Sequence, residues 1–571
     1  MARRRSGECQ DWSVRKHRAF IVALATAGLG GFVVGSVIGL RHWSPAWPAL
    51  SALSVLRAGA VGWLVGIALG AGLGWRWSRH SAGSTSSCEQ RRWTSPSLTL
   101  VAIGLAPGIL WLPGMTRIGP MRKATAIGRR LGDHRPNLVL ITIDALRSDY
   151  VGSYAGSPSL TPNLDAFARE ATRYPSAYAS SPWTLTSLGA LFTSLPPSEC
   201  GLKVPGERPG TWHTAFAKLP EDRALLSERL QRAGYVTAAD VTNVFLEPYW
   251  GWARGFDYFR NEGGADGDRA DCAHAQTLAE HAVAWSRLNW RQPFFLWVHY
   301  LDPHCPYLSP DTPAELRARY PADWVARRDR WYYGMKSAPP ETRALYQRFC
   351  REMYAEEVRY ADRWVGELLR GLKALGTYDH SLIVITADHG EELFDHGGLD
   401  HGHSMHEEVV SVPLLVKWPG GVTGDKLVTQ TVPLMAVAGT LLHLARAPGL
   451  NEGDQALPTR DQGSVSEVYS EGIMYGTEHT ALTTDDYRII YHPYDASRQD
   501  WFEVYDRRRD RRERHNLADT EAAWGLRSRL KQLTEAAERA AVQAGGGPGA
   551  RRFPLPDGMK RRMKSLGYVG N

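Results

Sequence analysis

Two acidic motifs, each placed directly after an apolar run, are well suited to hold a metal ion. Asp388 and His389 follow the run Ser381-Leu-Ile-Val-Ile-Thr-Ala387, and Asp144 follows Asn137-Leu-Val-Leu-Ile-Thr-Ile143. A divalent cation needs oxygen or nitrogen donors from separated segments, and two carboxylates with an imidazole supply them. For either segment alone, a capped strand with solvated polar residues is the alternative. The prediction of a metal site therefore depends on other segments converging on the same place.

Thr184 is the candidate nucleophile. It stands in Ser180-Ser-Pro-Trp-Thr184, a turn-like opening before an apolar run that suits a helix beginning near this threonine. A hydroxyl at a helix N-terminus lies near the positive end of the dipole and near free N–H groups, which favour an approaching anion. Metal coordination would lower the pKa of the hydroxyl and make it a nucleophile. A threonine that serves only as an N-cap is the alternative.

The elements that must position these residues alternate between strand and helix. Short apolar runs predict buried strands over 137–143, 235–241, 294–300 and 381–387. Helical spacing indicates helices over 227–232, over the segment from Tyr354 to Leu372 and over 432–445. This order predicts an α/β fold with a doubly wound central sheet flanked by helices, whose chemistry lies at the carboxyl ends of the strands.

The last part of the chain changes character. Strand-like runs at 463–469, 480–484, 487–491 and 501–505 are separated by turns and predict a small antiparallel sheet. A helix is expected over Glu521 to Ala541, and the tail from Phe553 to Asn571 is expected to pack back on the domain.

A chain of 571 residues is too long for one compact core. We divide it into a membrane anchor (1–117), a basic linker (118–135), a catalytic domain (136–446) and a C-terminal subdomain (447–571). The net charge of +7 comes largely from arginine clusters near the N-terminus and from a segment where acids interleave, which argues against a nucleic-acid partner. The six cysteines lack a CxxC zinc spacing, and disulfide pairing stays open.

Three apolar segments near the N-terminus, at about 19–40, 58–75 and 97–114, predict two or three transmembrane helices. The third is short and interrupted by Pro107. A cleaved signal peptide is the competing interpretation of the first, but its length and the later apolar runs count against it. Basic residues before the first span predict a cytoplasmic N-terminus. With three spans the catalytic domain is extracytoplasmic, at the inner or cell membrane and facing the periplasm, whereas with two it would be cytoplasmic.

Six motifs, taken in order, resemble those of the sulfatase family of the alkaline-phosphatase superfamily, over nearly everything from Pro136 to the C-terminus. They are Asn137 to Arg147, Ser-Pro-Trp-Thr184, Pro293 to His304, Thr386 to Glu391, Gly402 to Glu407 and Val412-Pro413-Leu. The resemblance implies a small C-terminal subdomain after the α/β core and a metal held by Asp144, Asp388 and His389. It also implies that Thr184 completes the metal shell, that His304 contacts the transferred group and that His403 donates to the leaving oxygen.

The chain also departs from the family pattern. The family's formylglycine precursor, proline and arginine positions hold Thr184, Thr186 and Leu188, and the second of its paired acids is Ala145. Its Lys-x-His element has become Thr242-Asn243-Val244, where Asn243 is a candidate oxygen-binding donor. A threonine nucleophile with N-terminal spans resembles instead the phosphoethanolamine and phosphoglycerol transferases of the same superfamily.

We therefore predict a metal-dependent hydrolase of a sulfate or phosphate ester that works through a covalent intermediate on Thr184. A membrane-anchored transferase of a phospho-headgroup and a catalytically degenerate envelope binding protein are the alternatives. The expected cofactor is one divalent ion, Zn, Mn or Ca. His396, His401 and His406 could build a second metal site, although a polar surface loop is the commoner role for such residues. The expected substrate is a glycan, a lipid or a small-molecule ester carrying sulfate or phosphate.

Overall fold

The computed structural model describes residues 135–155, 159–203, 215–262, 274–307, 309–322, 324, 337–420, 426–451, 454–462, 466–493, 500–544 and 553–565. The three predicted spans, and all of the predicted linker except its last residue, lie outside these ranges. Within them, no helix combines the length and the hydropathy that crossing a bilayer requires.

The strands of the described residues are β1 (Asn137–Ile143), β2 (Thr172–Arg173), β3 (Ala177–Tyr178), β4 (Ala215–Phe216), β5 (Val236–Val241), β6 (Tyr258–Asn261), β7 (Phe294–Tyr300), β8 (Ser381–Ala387), β9 (Glu392–Leu393), β10 (Leu399–Asp400), β11 (Ser411–Val412), β12 (Leu414–Lys417), β13 (Lys426–Leu427), β14 (Val432–Pro433), β15 (Glu467–Ser470), β16 (Thr480–Thr484), β17 (Tyr487–His492), β18 (Trp501–Asp506) and β19 (Phe553–Pro554). Eight of these strands form the main sheet, in the order β13-β2-β12-β8-β1-β7-β5-β6. From β8 to β6 the neighbouring strands are parallel, whereas β12 runs antiparallel to β8.

Every residue of β1, β7 and β8 is buried, as expected for parallel strands covered on both faces. The α-helices of the described residues are α1 (Gly152–Ala155), α2 (Pro162–Ala168), α3 (Thr184–Thr193), α4 (Leu226–Arg232), α5 (Ala275–Asn289), α6 (Ala314–Arg317), α7 (Pro340–Ala374), α8 (Glu407–Val410), α9 (Ala436–Ala445), α10 (Glu521–Gln543) and α11 (Asp557–Ser565). The long helix α7 packs against α5 and α2. The predicted α/β class with a central sheet and flanking helices is confirmed.

A second sheet follows in the chain, formed by β15 to β18 as an antiparallel meander. Helix α10 packs on it, and Leu482, Ile489, Val504 and Leu530 form part of their shared apolar core. The tail returns to the main body, since β19 pairs with β4 and the side chain of Met563 is fully buried in the main core.

Three elements differ clearly from their predicted bounds. The helix predicted from Tyr354 to Leu372 begins fourteen residues earlier, at Pro340. The predicted helix 432–445 begins at Ala436, because the chain before it pairs with β3: the amide of Val432 donates to Ser176 and that of Leu434 to Tyr178. The predicted strand 463–469 is observed as β15, and residues 463–465 lie outside the described ranges.

Candidate active site

The carboxyl ends of four neighbouring strands meet at one edge of the main sheet. Ile143 at the end of β1 is paired with Ala387 of β8 and with Tyr300 of β7. On the other side of β7, Val241 of β5 pairs with His299. Polar residues that follow these positions are therefore brought together, as the alternating sequence predicts.

Asp144, Asp388 and His389 form a fully buried cluster whose ligand atoms lie within 4.8 Å of one another. His389 Nδ1 lies 2.8 Å from the carbonyl oxygen of Gly390, and because a carbonyl only accepts, this nitrogen carries the proton. The lone pair of Nε2 then faces Asp144 Oδ1 at 3.5 Å and Asp388 Oδ2 at 3.4 Å. Two carboxylate oxygens and an imidazole nitrogen thus converge, and this arrangement fits a bound cation.

Among the described residues, hydrogen bonds hold only one of the two oxygens of the Asp388 carboxylate. Its Oδ1 accepts from the amides of His389 at 3.0 Å and Ala145 at 3.2 Å, whereas its buried Oδ2 has no hydrogen-bond donor among the described residues. Ala145 adopts a left-handed φ of 57°, a strained conformation that turns its amide toward this carboxylate. Burial and then the Asp144 charge raise the pKa of Asp388 to about 7, a penalty that a cation at Oδ2 would remove.

Thr184 is the first residue of α3 and Trp183 is the N-cap, so the alternative of a capping threonine does not hold. The Thr184 hydroxyl oxygen lies 3.3 Å from His389 Nε2. Asn243 Oδ1 accepts from the amide of Phe245 at 2.7 Å, which orients the side-chain amide. Asn243 Nδ2 then donates to Asp144 Oδ2 at 2.6 Å and lies 3.4 Å from the Thr184 hydroxyl.

His299 belongs to the site, whereas the sequence pattern predicts only that it lies in the strand 294–300. The indole of Trp297 donates to Thr142 Oγ1 at 2.9 Å, and Thr142 Oγ1 lies 2.8 Å from His299 Nδ1. His299 Nε2 lies 3.2 Å from Asp144 Oδ2. Burial lowers the pKa of His299 to about 4, so the ring is neutral and donates through Nε2. The signal in the sequence that could have identified His299 is its position as a polar residue inside an otherwise apolar, buried strand.

Three further histidines lie in the segments predicted to form the site. His304 is buried and its ring contacts that of His401, with centroids 4.9 Å apart; His401 in turn lies 4.2 Å from the ring of His389. His403 Nε2 lies 2.8 Å from Glu392 and the side chain is 25% exposed. The ring contact with His389 makes His401 a second candidate for the proton donor, beside His403, which the family resemblance names.

Two carboxylates hold His401. Its Nδ1 lies 2.9 Å from Glu391 Oε1 and 2.9 Å from Asp400 Oδ1. Burial lowers the pKa of His401, but these carboxylates outweigh burial and raise the pKa well above its ordinary value. These carboxylates thus favour the protonated ring, in which Nε2 is the second proton-bearing nitrogen.

Residues 471–475, which directly follow β15, contact the turn that precedes Thr184. The carbonyl of Gly472 accepts from the Trp183 indole at 2.8 Å and from Ser181 Oγ at 3.2 Å. Gly472 has a φ of +86°, and a Cβ there would lie 3.4 Å from Ser181 Oγ. The amide of Met474 donates to the carbonyl of Gly402, directly before His403, at 2.7 Å. Residues 471–475 thus link the turn before the nucleophile (residues 180–183) to the loop from His396 to His406, which we call the histidine loop.

A buried ion pair fixes the base of this link. Lys203 Nζ lies 3.0 Å from Glu471 Oε2 and 3.4 Å from Glu478 Oε1, and the Glu471 side chain is fully buried. Glu471 Oε1 also accepts from the amide of Ser198 at 2.8 Å.

Comparison with known proteins identifies the family of this chain. Residues 136–447 match the family model described as Sulfatase, and residues 395–540 match that described as N-sulphoglucosamine sulphohydrolase, C-terminal. The chain is 24% identical over 441 residues to Uncharacterized sulfatase YidJ of Escherichia coli (strain K12), covering 69% of this chain and 86% of that protein. It is 22% identical over 497 residues to an N-acetylglucosamine-6-O-sulfatase of Bacteroides thetaiotaomicron, covering 71% and 86%.

Among solved structures, a 2-O GAG sulfatase superposes with a TM-score of 0.56 at 18% identity, covering 74% of this chain and 96% of that one. This likeness supports the fold. Since the Sulfatase model spans more than half of the chain, the protein belongs to the sulfatase family and is a sulfuric ester hydrolase.

Proposed function

We propose that this protein hydrolyses a sulfate ester of a glycan and that Thr184 is its nucleophile. The observation that carries the proposal is the position of the Thr184 hydroxyl, which lies 3.3 Å from His389 Nε2 at the N-terminus of a buried helix. The choice of a glycan draws on the relatives, among which is an N-acetylglucosamine-6-O-sulfatase. Neither the transferase nor the degenerate binding protein gains support from the comparisons.

Asp144, Asp388, His389 and Thr184 are the residues that would hold a divalent metal ion. When bound, the ion would lower the pKa of the Thr184 hydroxyl and neutralise charge on the ester oxygens. The donor set of two carboxylates, an imidazole and a hydroxyl suits Zn, Mn or Ca.

In the first step, the Thr184 oxygen attacks sulfur and the bond from sulfur to the ester oxygen breaks. The hydroxyl proton leaves to the surrounding carboxylates, and the leaving alcohol takes a proton from His401 Nε2. The amides at the start of α3 face the developing charge, and the Asn243 amide lies beside the nucleophile. Water then attacks the sulfur of the threonine sulfate, the bond from sulfur to the Thr184 oxygen breaks, and the two protons of the water go to the released hydrogen sulfate and to the Thr184 oxygen. The proton held by the carboxylates passes to solvent and His401 takes one back, which restores the starting state.

The test is an assay of the purified chain on aryl sulfate, aryl phosphate, phosphodiester and 6-O-sulfated glucosamine substrates. We expect sulfate release by the wild type and loss of release in Thr184→Ala. Thr193→Ala, at the other end of the same helix, is the matched control, since its hydroxyl donates to the carbonyl of Gly189 within the helix. Mass spectrometry of rapidly quenched and digested reactions should find a sulfate adduct on the peptide that contains Thr184. Equal rates for wild type and Thr184→Ala would contradict the assignment.

We also propose that the three apolar segments at 19–40, 58–75 and 97–114 anchor the chain so that the catalytic domain lies outside the cytoplasm. Their hydropathy and the basic residues before the first segment support this. Reporter fusions placed after each segment test it, and a cytoplasmic reporter signal after residue 120 would contradict it.

A further inference from the structure

A second group of metal-ligand side chains lies apart from the catalytic cluster. His396, His406 and Glu513 each offer a ligand atom within 4.8 Å of the others. The two histidines come from the loop that follows β8, on either side of His401, whereas Glu513 comes from the segment after β18. The group therefore joins the histidine loop to the C-terminal part of the chain.

The two imidazoles of this group are stacked. Their rings are parallel within 6° and their centroids lie 3.6 Å apart. His396 Nδ1 lies 2.7 Å from Glu408 Oε1 and its Nε2 lies 3.3 Å from the carbonyl oxygen of Glu513. Both partners only accept, so His396 is doubly protonated as it stands. A cationic ring is thus held face to face against a second imidazole, and one of the two rings must turn for both to bind one ion, because the lone pair of an imidazole nitrogen lies in the plane of its ring.

Carboxylates outnumber the fixed cations around the rings. Glu513 Oε2 lies 3.0 Å from His406 Nδ1, Glu503 Oε2 lies 3.9 Å from His406 Nε2, and Glu408 faces His396. Arg488 is the opposing guanidinium, with Nε 3.1 Å from Glu513 Oε1. His492 also bonds Glu503, at 2.6 Å. The surplus negative charge is balanced either by protons on the histidines or by a bound cation.

Glu513 is held in an unusual backbone conformation. It has a φ of 53°, which residues with a side chain rarely adopt, and it is only 4% exposed. This turn directs both its carbonyl and its carboxylate at the histidine pair. Strain of this kind persists where the surrounding structure requires the geometry.

We propose that His396, His406 and Glu513 bind a zinc ion that ties the histidine loop to the C-terminal part. Two imidazoles and a carboxylate are zinc ligands, whereas calcium and magnesium prefer oxygen alone. His406 Nδ1 and Glu513 Oε2 lie 3.0 Å apart as hydrogen-bond partners, and two tetrahedral zinc ligands at about 2.1 Å from the ion lie about 3.4 Å apart, so a small separation of the pair admits the ion. Zinc displaces the protons that the rings now share with their carboxylate neighbours, and these protons pass to solvent.

The test counts zinc bound by the full chain. After equilibration with zinc and removal of the excess, we expect the wild type to retain one ion more per chain than His406→Gln. His515→Gln is the matched control, because this histidine lies in the same segment and its side chain is 83% exposed. Asp388→Asn, which alters the catalytic cluster, should still bind zinc and gain thermal stability from it, whereas Asp388→Asn combined with His406→Gln should gain none.

Equal zinc content in the wild type and His406→Gln would overturn the proposal. Circular dichroism shows whether His406→Gln is folded, and His396→Gln serves as a second variant if it is not. Zinc binding to the wild type must also release protons, measured by calorimetry in buffers of different ionisation enthalpy. Binding of an additional ion without proton release would likewise refute the displacement of these histidine protons.

Discussion

Replacement of His299 should weaken metal binding at the catalytic cluster. His299 is not one of the proposed ligands and acts through its hydrogen bond to Asp144. The Asp144 carboxylate is fully buried, and Oδ2 receives hydrogen bonds from Asn243 at 2.6 Å and from His299 at 3.2 Å. Both bonds hold the carboxylate so that Oδ1 faces His389 Nε2. His299→Phe removes one donor from a buried charge and frees the carboxylate to rotate.

The expected loss follows from the bond that is removed. A hydrogen bond to a charged group contributes about 1.5 to 3 kcal/mol, and loss of a group that orients a metal ligand costs roughly 10- to 100-fold in affinity, or about 1.4 to 2.7 kcal/mol. The 3.2 Å length of the His299 bond points to the lower half of this range. We therefore expect roughly a ten-fold to thirty-fold weaker metal affinity in His299→Phe.

The assay is competition with a fluorescent chelator, which reads metal affinity independently of turnover. His299→Gln is the matched variant, because its amide can donate to Asp144 as Nε2 does, and it should bind metal more tightly than His299→Phe. Circular dichroism controls for folding. Unchanged affinity in His299→Phe would refute the positioning role, and equal losses in both variants would assign the effect to packing instead.

Three further outcomes follow from buried groups. Burial raises the pKa of Asp240 to about 8 in the folded state, whereas the pKa of an aspartate in the unfolded chain is about 4. Between these two pH values the folded state binds one proton more than the unfolded state. The stability of the wild type therefore falls as pH rises from about 4 to about 8. Asp240→Asn removes this slope, and its stability advantage in thermal melts should grow from pH 4 to 8 by a few kcal/mol, at about 1.4 kcal/mol per pH unit. Lys203→Met leaves the buried Glu471 unpaired and should cost about 3 to 5 kcal/mol in chemical denaturation, part of which the added Glu471→Gln change recovers. His401→Ala should lower kcat roughly a hundred-fold or more on esters with poor leaving groups and much less on activated aryl sulfates; an equal loss on both would contradict the role of His401 as proton donor.

The sequence predicted the scaffold of the site well because that part rests on local patterns. The strands over 137–143 and 294–300 have the predicted bounds, and helix α3 begins at the predicted Thr184. Buried parallel strands are continuous apolar runs, and a polar residue after such a run marks the strand end. The meeting of Asp144 and Asp388 then follows from the topology of parallel strands.

The rest of the site depends on features that a pattern does not carry. His401 and His403 are equally polar, and only the fold of the loop decides that Glu391 and Asp400 hold one while Glu392 takes the other. The second metal group could not be predicted from the sequence as a set, because Glu513 lies more than a hundred residues from both histidines. Its approach depends on how the second sheet packs against the first.

The link made by residues 471–475 has a consequence for the order of biosynthesis. The Trp183 indole and the Ser181 hydroxyl beside the nucleophile bond to Gly472, which is synthesised almost three hundred residues later. A nascent chain that already contains Asp144, Thr184 and Asp388 still lacks the acceptor for these groups. The hydrogen bonds that fix the turn before Thr184 are therefore completed only after residue 472 has been synthesised.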